Sequence, residues 1–349
     1  MDELADRSVL AIDLGGTQIR AALITSDLAV HARRAVPTRD EEGVEAVVAR
    51  ICGVAAEVRD DALAAGLSTP AGVGISAPGP LDPWNGIVLA PPNLAGWRDV
   101  PLAAHVADAL HLPTFLERDT NVAVLAEWRY GVARGARTAV YVTVSTGIGG
   151  GAIIDGRPLI GPDGTAGEIG HIVVELDGPR CGCGGIGHVE AIASGTALAR
   201  DGLALLERGG SPRLAELAAT GDAVDATMLA RAADDGDGAC AELLARAWTA
   251  IGAMCASLVN VLNPDIIVIG GSIAEHRPAL LEAVRLEIER RAFAVPASRV
   301  RVEQSQLKDD VSLIGILPIV AERLSDPAFR AASHRPRTAA TNTLGALRP

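Results

Sequence analysis

Short apolar runs along the chain alternate with longer segments in which apolar residues recur at helical spacing. The short runs predict strands and the longer segments predict helices, as in an α/β protein. The predicted strands are Ser8–Asp13, Ile19–Ser26, Val73–Ser76, Thr114–Glu117, Thr138–Val144, Ala152–Ile154, Ile266–Ile269 and Val300–Gln304. The predicted helices are Glu42–Ala65, Leu102–Leu110, Val122–Trp128, Ala191–Arg208, Leu214–Ala232, Ala239–Leu262, Pro278–Arg291 and Leu313–Leu324.

Two glycine-rich turns each follow a predicted strand. Asp13-Leu-Gly-Gly-Thr17 follows the first strand, and Ser145-Thr-Gly-Ile-Gly-Gly-Gly151 follows Thr138–Val144. Glycines let an anion approach the backbone N–H groups closely, and Asp13 is able to hold a magnesium ion through water. A glycine hairpin without a ligand is the alternative for either turn alone. The repeat predicts two half-molecules facing each other across a cleft, each with a phosphate loop.

The segment from Glu168 to Glu190 contains four potential metal ligands. They are His171, Cys181, Cys183 and His188. Two thiolates and two imidazoles suit a tetrahedral zinc site, and the carboxylates of Glu168 and Glu190 flank it. The alternatives are a glycine-rich surface loop with two free thiols and, less favoured because only two cysteines are local, an iron–sulfur site. The pattern predicts a structural zinc site beside a polar binding site.

Several other polar or glycine positions lie at strand ends or in loops. Asp119 follows the strand Thr114–Glu117, where it either faces a ligand or caps the next helix. Asn93 either binds a hydroxylated ligand or makes an Asx turn, and Trp97 either lines a pocket or packs in the core. Gly270-Gly271 leaves bare backbone on which a nucleotide base or ribose can lie.

Charge and composition exclude some functions. The chain has 349 residues and a formal net charge of −12, which argues against nucleic-acid binding. Lys308 is the only lysine, and the sequence has no GxxxxGK[ST] motif, so a P-loop is excluded. An odd cysteine count and the absence of a signal peptide predict a cytoplasmic protein. No apolar run is long enough to predict a membrane span.

The motifs together resemble the ROK family of sugar kinases, repressors and open reading frames, within the actin–hexokinase–Hsp70 superfamily. Asp13–Thr17 and Thr146–Gly151 are similar to the phosphate loops of that family, and Asn263-Pro264 through Gly271 to its adenosine-side motif. The segment Glu168–Glu190 is similar to the family signature, which is the most specific match. The resemblance runs from about Val9 to Leu317 and so covers nearly the whole chain.

This resemblance implies an actin-like ATPase (ribonuclease H-like) α/β fold with two domains around a cleft. The expected domains are a small one at 1–118 plus about 300–324, a large one at 119–299 with the zinc motif, and a C-terminal tail at 325–349. Asp119 is the implied general base, and His171 contacts sugar as well as zinc. The implied sugar contacts are Gly79, Asn93, Arg118, Asp119, Glu168, His171 and Glu190. The implied ATP contacts are Asp13, Gly15, Gly16, Thr17, Gln18, Thr146, Gly147, Gly149, Gly150, Gly270 and Gly271.

Two positions depart from the family pattern. The family usually has Asn-Asp where this chain has Arg118-Asp119, and that asparagine commonly contacts the sugar. Arg118 therefore either alters the hexose preference or points elsewhere and leaves the contact to another group. His188 replaces the third cysteine of the family, which keeps a zinc ligand but changes the charge of the site.

The resemblance implies an ATP-dependent hexose kinase that uses Mg²⁺ and structural Zn²⁺, with glucose as the first candidate substrate. Fructose, N-acetylglucosamine and N-acetylmannosamine are alternative sugars, and polyphosphate is an alternative donor. The expected assembly is a homodimer or homotetramer in the cytoplasm, with no nucleic-acid or membrane partner. A sugar-responsive repressor is less favoured because few residues precede Asp13, and a sugar-binding protein without catalysis because Asp119 is present. Dinucleotide chemistry is less favoured still because the glycine turns are predicted hairpins.

Overall fold

Two five-stranded sheets carry the fold in this computed structural model, which describes residues 8–219, 221–326 and 329. The predicted tail at 325–349 therefore lies outside the described residues except at 325, 326 and 329. The strands are β1 Ser8–Leu14, β2 Gln18–Thr25, β3 Val30–Pro37, β4 Val73–Ala77, β5 Leu81–Asp82, β6 Ile87–Val88, β7 Thr114–Arg118, β8 Ala139–Val144, β9 Ile148–Ile154, β10 Arg157–Pro158, β11 Ile266–Gly270 and β12 Arg301–Gln304.

Helices lie between and after these strands. They are α1 Val44–Ala64, α2 Leu102–Leu110, α3 Asp119–Arg129, α4 Glu190–Ala193, α5 Gly195–Glu207, α6 Pro212–Ala218, α7 Ala226–Asp234, α8 Gly238–Leu262, α9 Ser272–Glu275, α10 Pro278–Arg291, α11 Ala294–Ala297, α12 Val311–Ile314 and α13 Ile316–Ser325. A 3-10 turn at Ile169–His171 lies between β10 and α4 and contains one of the potential metal ligands.

The chain divides into two compact units, one of Met1–Glu117 with Ile319–Pro349 and one of Arg118–Pro318. The first sheet has the order β3-β2-β1-β4-β7 and the second the order β10-β9-β8-β11-β12. When the strands are numbered within their own sheet, each sheet therefore has the order third, second, first, fourth, fifth. In both sheets the first and second strands form an antiparallel hairpin, and the first and fourth strands run parallel. Each unit thus places a glycine turn at the same topological position.

The expected domain boundaries stay a prediction, but one strand differs from them. β12 pairs in parallel with β11 in the second sheet, from Ile266 opposite Arg301 to Ile269 opposite Gln304. The sequence analysis assigned residues from about 300 to the small domain. Because β12 is hydrogen-bonded to β11, which lies in the second unit, residues 301–304 also belong to the second unit.

Each unit has its own apolar core. In the first unit β1 is buried along its whole length, and α1 packs on β1, β2 and β3 through Val47, Ile51, Val54 and Val58. These four positions follow the three- and four-residue spacing that puts side chains on one face of a helix. Trp97 is 4% exposed and belongs to this core, so the core alternative for this residue is correct.

Helix α8 organises the core of the second unit. It packs against α10, α7 and α4, and it begins where the Asp237 carboxylate accepts a hydrogen bond from the Cys240 N–H at 3.0 Å. By length and composition alone this helix could cross a membrane, which the sequence analysis did not anticipate. Because 61% of its most apolar window is buried inside the protein, the helix has the burial of a core helix.

Capping side chains divide two of the predicted helices. The Ser194 hydroxyl accepts from the Ala197 N–H at 3.1 Å, so the predicted helix Ala191–Arg208 is broken between α4 and α5. The Asp225 carboxylate accepts from the Met228 N–H at 2.7 Å and starts α7 anew. Local side-chain acceptors of this kind compete with continued helix, and apolar spacing does not reveal them.

Two predicted strands also differ. The sequence analysis missed β3, an edge strand with partly exposed residues, because its sequence lacks a clear alternation of apolar residues. Strand β9 begins at Ile148, four residues before the predicted start at Ala152, so Gly149, Gly150 and Gly151 lie within the strand and not in the turn. The turn between β8 and β9 is therefore only Ser145-Thr146-Gly147.

The glycines of β9 make room for neighbouring elements. A Cβ added at Gly151 would lie 2.5 Å from the Thr120 carbonyl oxygen of α3, and one at Gly150 would lie 2.8 Å from the Tyr141 carbonyl oxygen. Real Cβ atoms do not approach backbone oxygens so closely, so the strand packs against α3 only because side chains are absent.

We expect Gly151→Ala to destabilise the protein by about 1–3 kcal/mol, because the clash is with backbone that cannot rotate away. Thermal unfolding of the two proteins measures this. Gly53→Ala is the matched control, since Gly53 is an exposed residue inside α1 with nothing within 4 Å of the added Cβ. The control is expected to keep or raise Tm, and an unchanged Tm for Gly151→Ala would contradict the packing role.

Candidate active site

The four predicted metal ligands lie together in the segment between β10 and α4. One ligand atom from each of His171, Cys181, Cys183 and His188 lies within 4.8 Å of all the others. The Cys181 Sγ is 3.8 Å from the His171 Nδ1, and the Cys183 Sγ is 3.2 Å from the His188 Nδ1. Burial raises the pKa of the Cys181 thiol above its usual value. A cation bound at this position would stabilise the thiolate and so counteract the effect of burial.

Backbone hydrogen bonds fold this segment tightly enough to bring the ligands together. The Cys181 N–H donates to the Gly185 carbonyl at 2.9 Å, and the Gly184 N–H donates to the Cys181 carbonyl at 2.9 Å. Gly184 has φ of +95°, which side chains rarely adopt, so glycine is required at this turn. Residues 172–176 form no regular strand, and among them only Val173 forms a bridge, to His188.

Glu168 lies beside this ligand cluster with 42% of its side chain exposed. Its Oε2 is 3.9 Å from the His171 Nε2. Its Oε1 accepts a hydrogen bond from the Arg118 Nη1 at 2.7 Å. The carboxylate is therefore held on one side by a guanidinium and on the other by a potential metal ligand, and it remains accessible to a polar ligand.

Arg118 is at the end of β7, and its side chain is only 4% exposed. Besides Glu168, its Nη2 donates to the Gly150 carbonyl at 3.0 Å, to the Asn121 Oδ1 at 3.3 Å and to the Ala166 carbonyl. All of these partners belong to the second unit. The guanidinium therefore points into this unit, and both alternatives for its effect on the sugar stay predictions.

Glu190 connects the ligand cluster to the turn between β8 and β9. Its Oε1 is 3.8 Å from the Cys181 Sγ, and its Oε2 accepts from the Ile148 N–H at 3.0 Å. The same oxygen would lie 2.8 Å from a Cβ at Gly147, so a side chain at that position would displace this carboxylate. Thr146 is exposed at the tip of the turn, and Gly147 is half-buried.

Asp119 is the first residue of α3, directly after Arg118. The N-cap position is Arg118, so the interpretation of Asp119 as the N-cap residue is wrong. The half-buried Asp119 carboxylate accepts from the Thr120 N–H at 2.7 Å through Oδ1. A carboxylate at a helix N-terminus lies next to the positive end of the helix dipole, which attracts negative charge.

Gly270 is the last residue of β11 and Gly271 follows it, near the second glycine turn. Gly271 has φ of +95°, and a Cβ there would lie 2.5 Å from the Val144 carbonyl oxygen at the end of β8. The next residue, Ser272, has its Oγ 2.9 Å from the Ser145 Oγ. Within the second unit the structure therefore brings the predicted adenosine-side motif next to the predicted phosphate turn.

The first glycine turn lies in the first unit, between β1 and β2. The Gly15 N–H donates to the Gln18 carbonyl at 2.9 Å, and the Thr38 hydroxyl donates to the Gly15 carbonyl at 2.7 Å. Thr17 and Gln18 are exposed, whereas Gly15 and Gly16 are half-buried. The turn therefore has a fixed backbone and an accessible tip, as a phosphate loop requires.

The carboxylate of Asp13, at the start of this turn, is paired with an arginine. Asp13 and Arg20 are opposite each other on β1 and β2, and the Arg20 Nε and Nη2 both donate to Oδ2, at 3.0 and 2.6 Å. The sequence analysis did not predict this pair. It orients the carboxylate on which a magnesium ion was predicted to depend.

The remaining predicted sugar contacts, Gly79 and Asn93, also lie in the first unit. Asn93 is exposed, and a Cβ at Gly16 would lie 3.3 Å from the Asn93 carbonyl oxygen, so this loop adjoins the first glycine turn. Gly79 is half-buried and precedes Pro80 in a cis peptide bond. Their roles as sugar contacts stay predictions.

Residues that hold the two turns were missed by the sequence analysis. Thr38 fixes the first turn, and Thr196 fixes the second by donating its hydroxyl to the Thr146 carbonyl at 3.0 Å. These contacts join residues 23 and 50 positions apart, and no local motif marks them. The contact between Arg118 and Asn121 is different, because the two residues are three positions apart at the start of a helix. That spacing is a local signal from which the contact could have been predicted.

Comparison with known proteins identifies the family. A model of the ROK family matches residues 9–323. The chain belongs to the ROK family. It is 34% identical over 316 residues to a glucokinase of Thermotoga maritima, an alignment that covers 90% of this chain and 98% of the relative.

Solved ROK structures are similar to this protein over most of the chain. A ROK family glucokinase of Streptomyces griseus, solved with glucose and AMPPNP, matches with a TM-score of 0.76 at 29% identity over 90% of this chain and 99% of its own. A ROK family transcriptional regulator, described as a homologue of an E. coli protein, matches with a TM-score of 0.78 at 25% identity over 95% and 80%. The expected α/β fold is thereby confirmed: the chain has the two-domain, actin-like ATPase fold of the ROK kinases.

Proposed function

We propose that this ROK family protein is an ATP-dependent hexose kinase with glucose as its first candidate substrate, and thus a glucokinase. The relatives from T. maritima and S. griseus, both glucokinases, support this assignment. The observation that carries it is the hydrogen bond between Arg118 and Glu168, which fixes an accessible carboxylate next to the helix start that bears Asp119. A base and a hydroxyl acceptor held in one rigid unit are what phosphoryl transfer to a sugar needs.

In this proposal Asp119 is the general base. Its carboxylate would accept the proton of the sugar hydroxyl that attacks the γ-phosphorus of ATP, while the bond to the β–γ bridging oxygen breaks. Base catalysis of this kind contributes about 10²- to 10⁴-fold to the rate. Glu168, Glu190 and His171 would bind the other hydroxyls, because carboxylates accept strong hydrogen bonds from hydroxyl groups.

In the second unit, ATP would be bound by the second glycine turn, with the exposed Thr146 at its tip, and by Gly270-Gly271 beside it. The first glycine turn, with the exposed Thr17 at its tip, stays a predicted phosphate contact. Mg²⁺ would be held through water by Asp13, whose carboxylate Arg20 already orients, and it would neutralise charge on the phosphates. Gly149 and Gly150 are better explained by packing of β9, so their predicted contact with ATP is the weakest part of the set.

Zn²⁺ fits the four-ligand cluster. With Zn–S distances of about 2.3 Å and Zn–N distances of about 2.0 Å, neighbouring ligand atoms of a tetrahedral site are about 3.5 Å apart. The two sulfur–nitrogen distances of 3.2 and 3.8 Å bracket that value. His171, Cys181, Cys183 and His188 would hold the ion, which would fix the loop that carries Glu168 and Glu190. A homodimer or homotetramer, and a cytoplasmic location, remain predictions of the family resemblance.

A sugar-responsive regulator without kinase activity is the second candidate. The similarity to a ROK family transcriptional regulator favours it, because that protein shares the fold at 25% identity. The net charge of −12 disfavours direct contact with nucleic acid. Binding of a sugar without any phosphoryl transfer would support this candidate over the kinase.

The deciding experiment measures ADP release with ATP and Mg²⁺ over glucose, mannose, fructose, N-acetylglucosamine and N-acetylmannosamine. We expect turnover with one strongly preferred hexose. Polyphosphate replaces ATP in a parallel series, since a family member with that donor would score negative with ATP. No transfer from either donor to any sugar would overturn the kinase assignment.

Asp119→Asn is expected to lower kcat by about 10²-fold or more, because the amide cannot accept the hydroxyl proton. Sugar affinity, measured by calorimetry, should change little, since the substitution preserves shape and hydrogen-bonding capacity. Asp155→Asn is the control, because Asp155 is an exposed carboxylate that pairs with Arg137 at the surface. Full turnover by Asp119→Asn would remove Asp119 from its proposed role.

Cys181→Ala is expected to lose bound zinc and to lower Tm, because three ligands hold a structural zinc ion poorly. Metal analysis of the purified protein gives zinc content per chain, and thermal unfolding gives Tm. Cys52→Ala is the matched control, a cysteine of the first unit that contacts the His105 carbonyl. Equal zinc content in the variant and the unaltered protein would contradict the zinc assignment.

A further inference from the structure

Arg118 is the position at which this chain departs from the Asn-Asp pattern of its family, and its side chain is almost completely buried. Only 4% of the Arg118 side chain is exposed, compared with 42% of Glu168. A ligand that approaches this pair therefore meets the carboxylate and not the guanidinium. Direct contact of Arg118 with a substrate would require the guanidinium to leave four protein acceptors.

The contacts of Arg118 fix both the side chain and the backbone of the Glu168 segment. Nη1 binds the Glu168 carboxylate at 2.7 Å, and Nη2 binds the Ala166 carbonyl two residues earlier. The same Nη2 binds the Gly150 carbonyl of β9 at 3.0 Å, which anchors the arrangement to the sheet. The planar fork of an arginine presents five N–H donors in fixed directions, whereas a lysine ammonium presents three from one atom and an asparagine amide two.

Gly167 shows that the loop is shaped around this guanidinium. A Cβ at Gly167 would lie 2.9 Å from the Arg118 Nη2 and 3.0 Å from the Gly150 carbonyl oxygen, and its φ is +87°. A residue with a side chain would therefore displace the guanidinium or the strand. Arg118, Gly167 and Glu168 are therefore packed against one another.

We propose that Arg118 is a positioning residue that orients Glu168 for one sugar hydroxyl and thereby sets selectivity at that hydroxyl without contacting the sugar. This inference rests on the proposed kinase function. It assigns to Glu168 the recognition that an asparagine at position 118 would otherwise share. Loss of the fork is expected to weaken sugar binding specifically at the hydroxyl that Glu168 accepts.

The test is a double-mutant cycle of the unaltered protein, Arg118→Lys, Glu168→Gln and the double variant, with KM for sugar, KM for ATP, kcat and Tm measured for each. We expect Arg118→Lys to raise the sugar KM about ten-fold, the loss of one charge-assisted hydrogen bond, with kcat and the ATP KM little changed. The double variant should be no worse than Glu168→Gln alone. If the sugar KM of the double variant rises by the product of the two single increases, the two residues act independently and the proposal is wrong. An unchanged sugar KM in Arg118→Lys would also overturn it.

A second measurement uses sugars that each lack one hydroxyl. The deoxy sugar whose KM no longer responds to Glu168→Gln should also no longer respond to Arg118→Lys. If the effects of the two substitutions on KM disappear with different deoxy sugars, Arg118 recognises the sugar independently of Glu168 and the proposal is wrong. Arg118→Gln, which removes the buried charge as well as the fork, replaces Arg118→Lys if that variant does not fold.

Glu287→Gln controls for the loss of a buried ion pair in the same unit. Glu287 is 3% exposed and pairs with Arg290 and Arg291 on α10. We expect it to lower Tm and leave the sugar KM unchanged. An equal rise of sugar KM in this variant would show that Arg118 acts through general stability, which overturns the positioning role.

Failure of the kinase proposal is distinguishable from failure of this one. If the unaltered protein binds a sugar but transfers no phosphoryl group, the kinase is refuted and the same cycle is measured on the sugar Kd by calorimetry. If it transfers phosphate normally while Arg118→Lys keeps the sugar KM, only the positioning role is refuted. A protein that neither binds nor phosphorylates any sugar refutes both.

Discussion

The buried guanidinium of Arg118 must replace the water that it loses on folding with oxygen atoms of the protein. Removing a charge from water costs several kcal/mol, and the cost is offset only where a counter-charge and well-placed acceptors surround it. Here the counter-charge is Glu168, and the acceptors include the Gly150 and Ala166 carbonyls. Three separate parts of the second unit are thereby tied together: the end of β7, the middle of β9 and the loop before the metal-ligand cluster.

Close backbone approach is the second requirement of the same region. Gly151 lets β9 lie against the Thr120 carbonyl, and Gly167 leaves room for the guanidinium. Gly147 lets the turn lie against Glu190. A run of glycines that resembles a phosphate loop thus divides into one residue in a turn and three in a strand, and the strand residues have packing reasons of their own. Gly147 is therefore the glycine available to a ligand, whereas Gly149, Gly150 and Gly151 are explained by packing of the strand.

The sequence allowed prediction of the features whose partners are close along the chain. The four potential metal ligands belong to one short segment, and most helices and strands follow from apolar spacing, so their proximity and these elements could be predicted. The partners of Arg118 are up to 50 residues away, and those of Thr38 and Thr196 are 23 and 50 away, so no local pattern marks them. Ser194 and Asp225 start new helices through single hydrogen bonds, which apolar spacing does not reveal.

The two units use the same hairpin but hold its turn in different ways. In the first unit the turn is fixed by Thr38 and by the pairing of Asp13 with Arg20 across the two strands. In the second unit it is fixed by Thr196 and by Glu190, and Glu190 also lies against Cys181 of the ligand cluster. One carboxylate therefore contacts both the ligand cluster and the second turn. The segment with the potential metal ligands and the predicted phosphate turn of the second unit are linked by a single side chain, whereas Thr38 and Arg20 of the first unit contact the first turn.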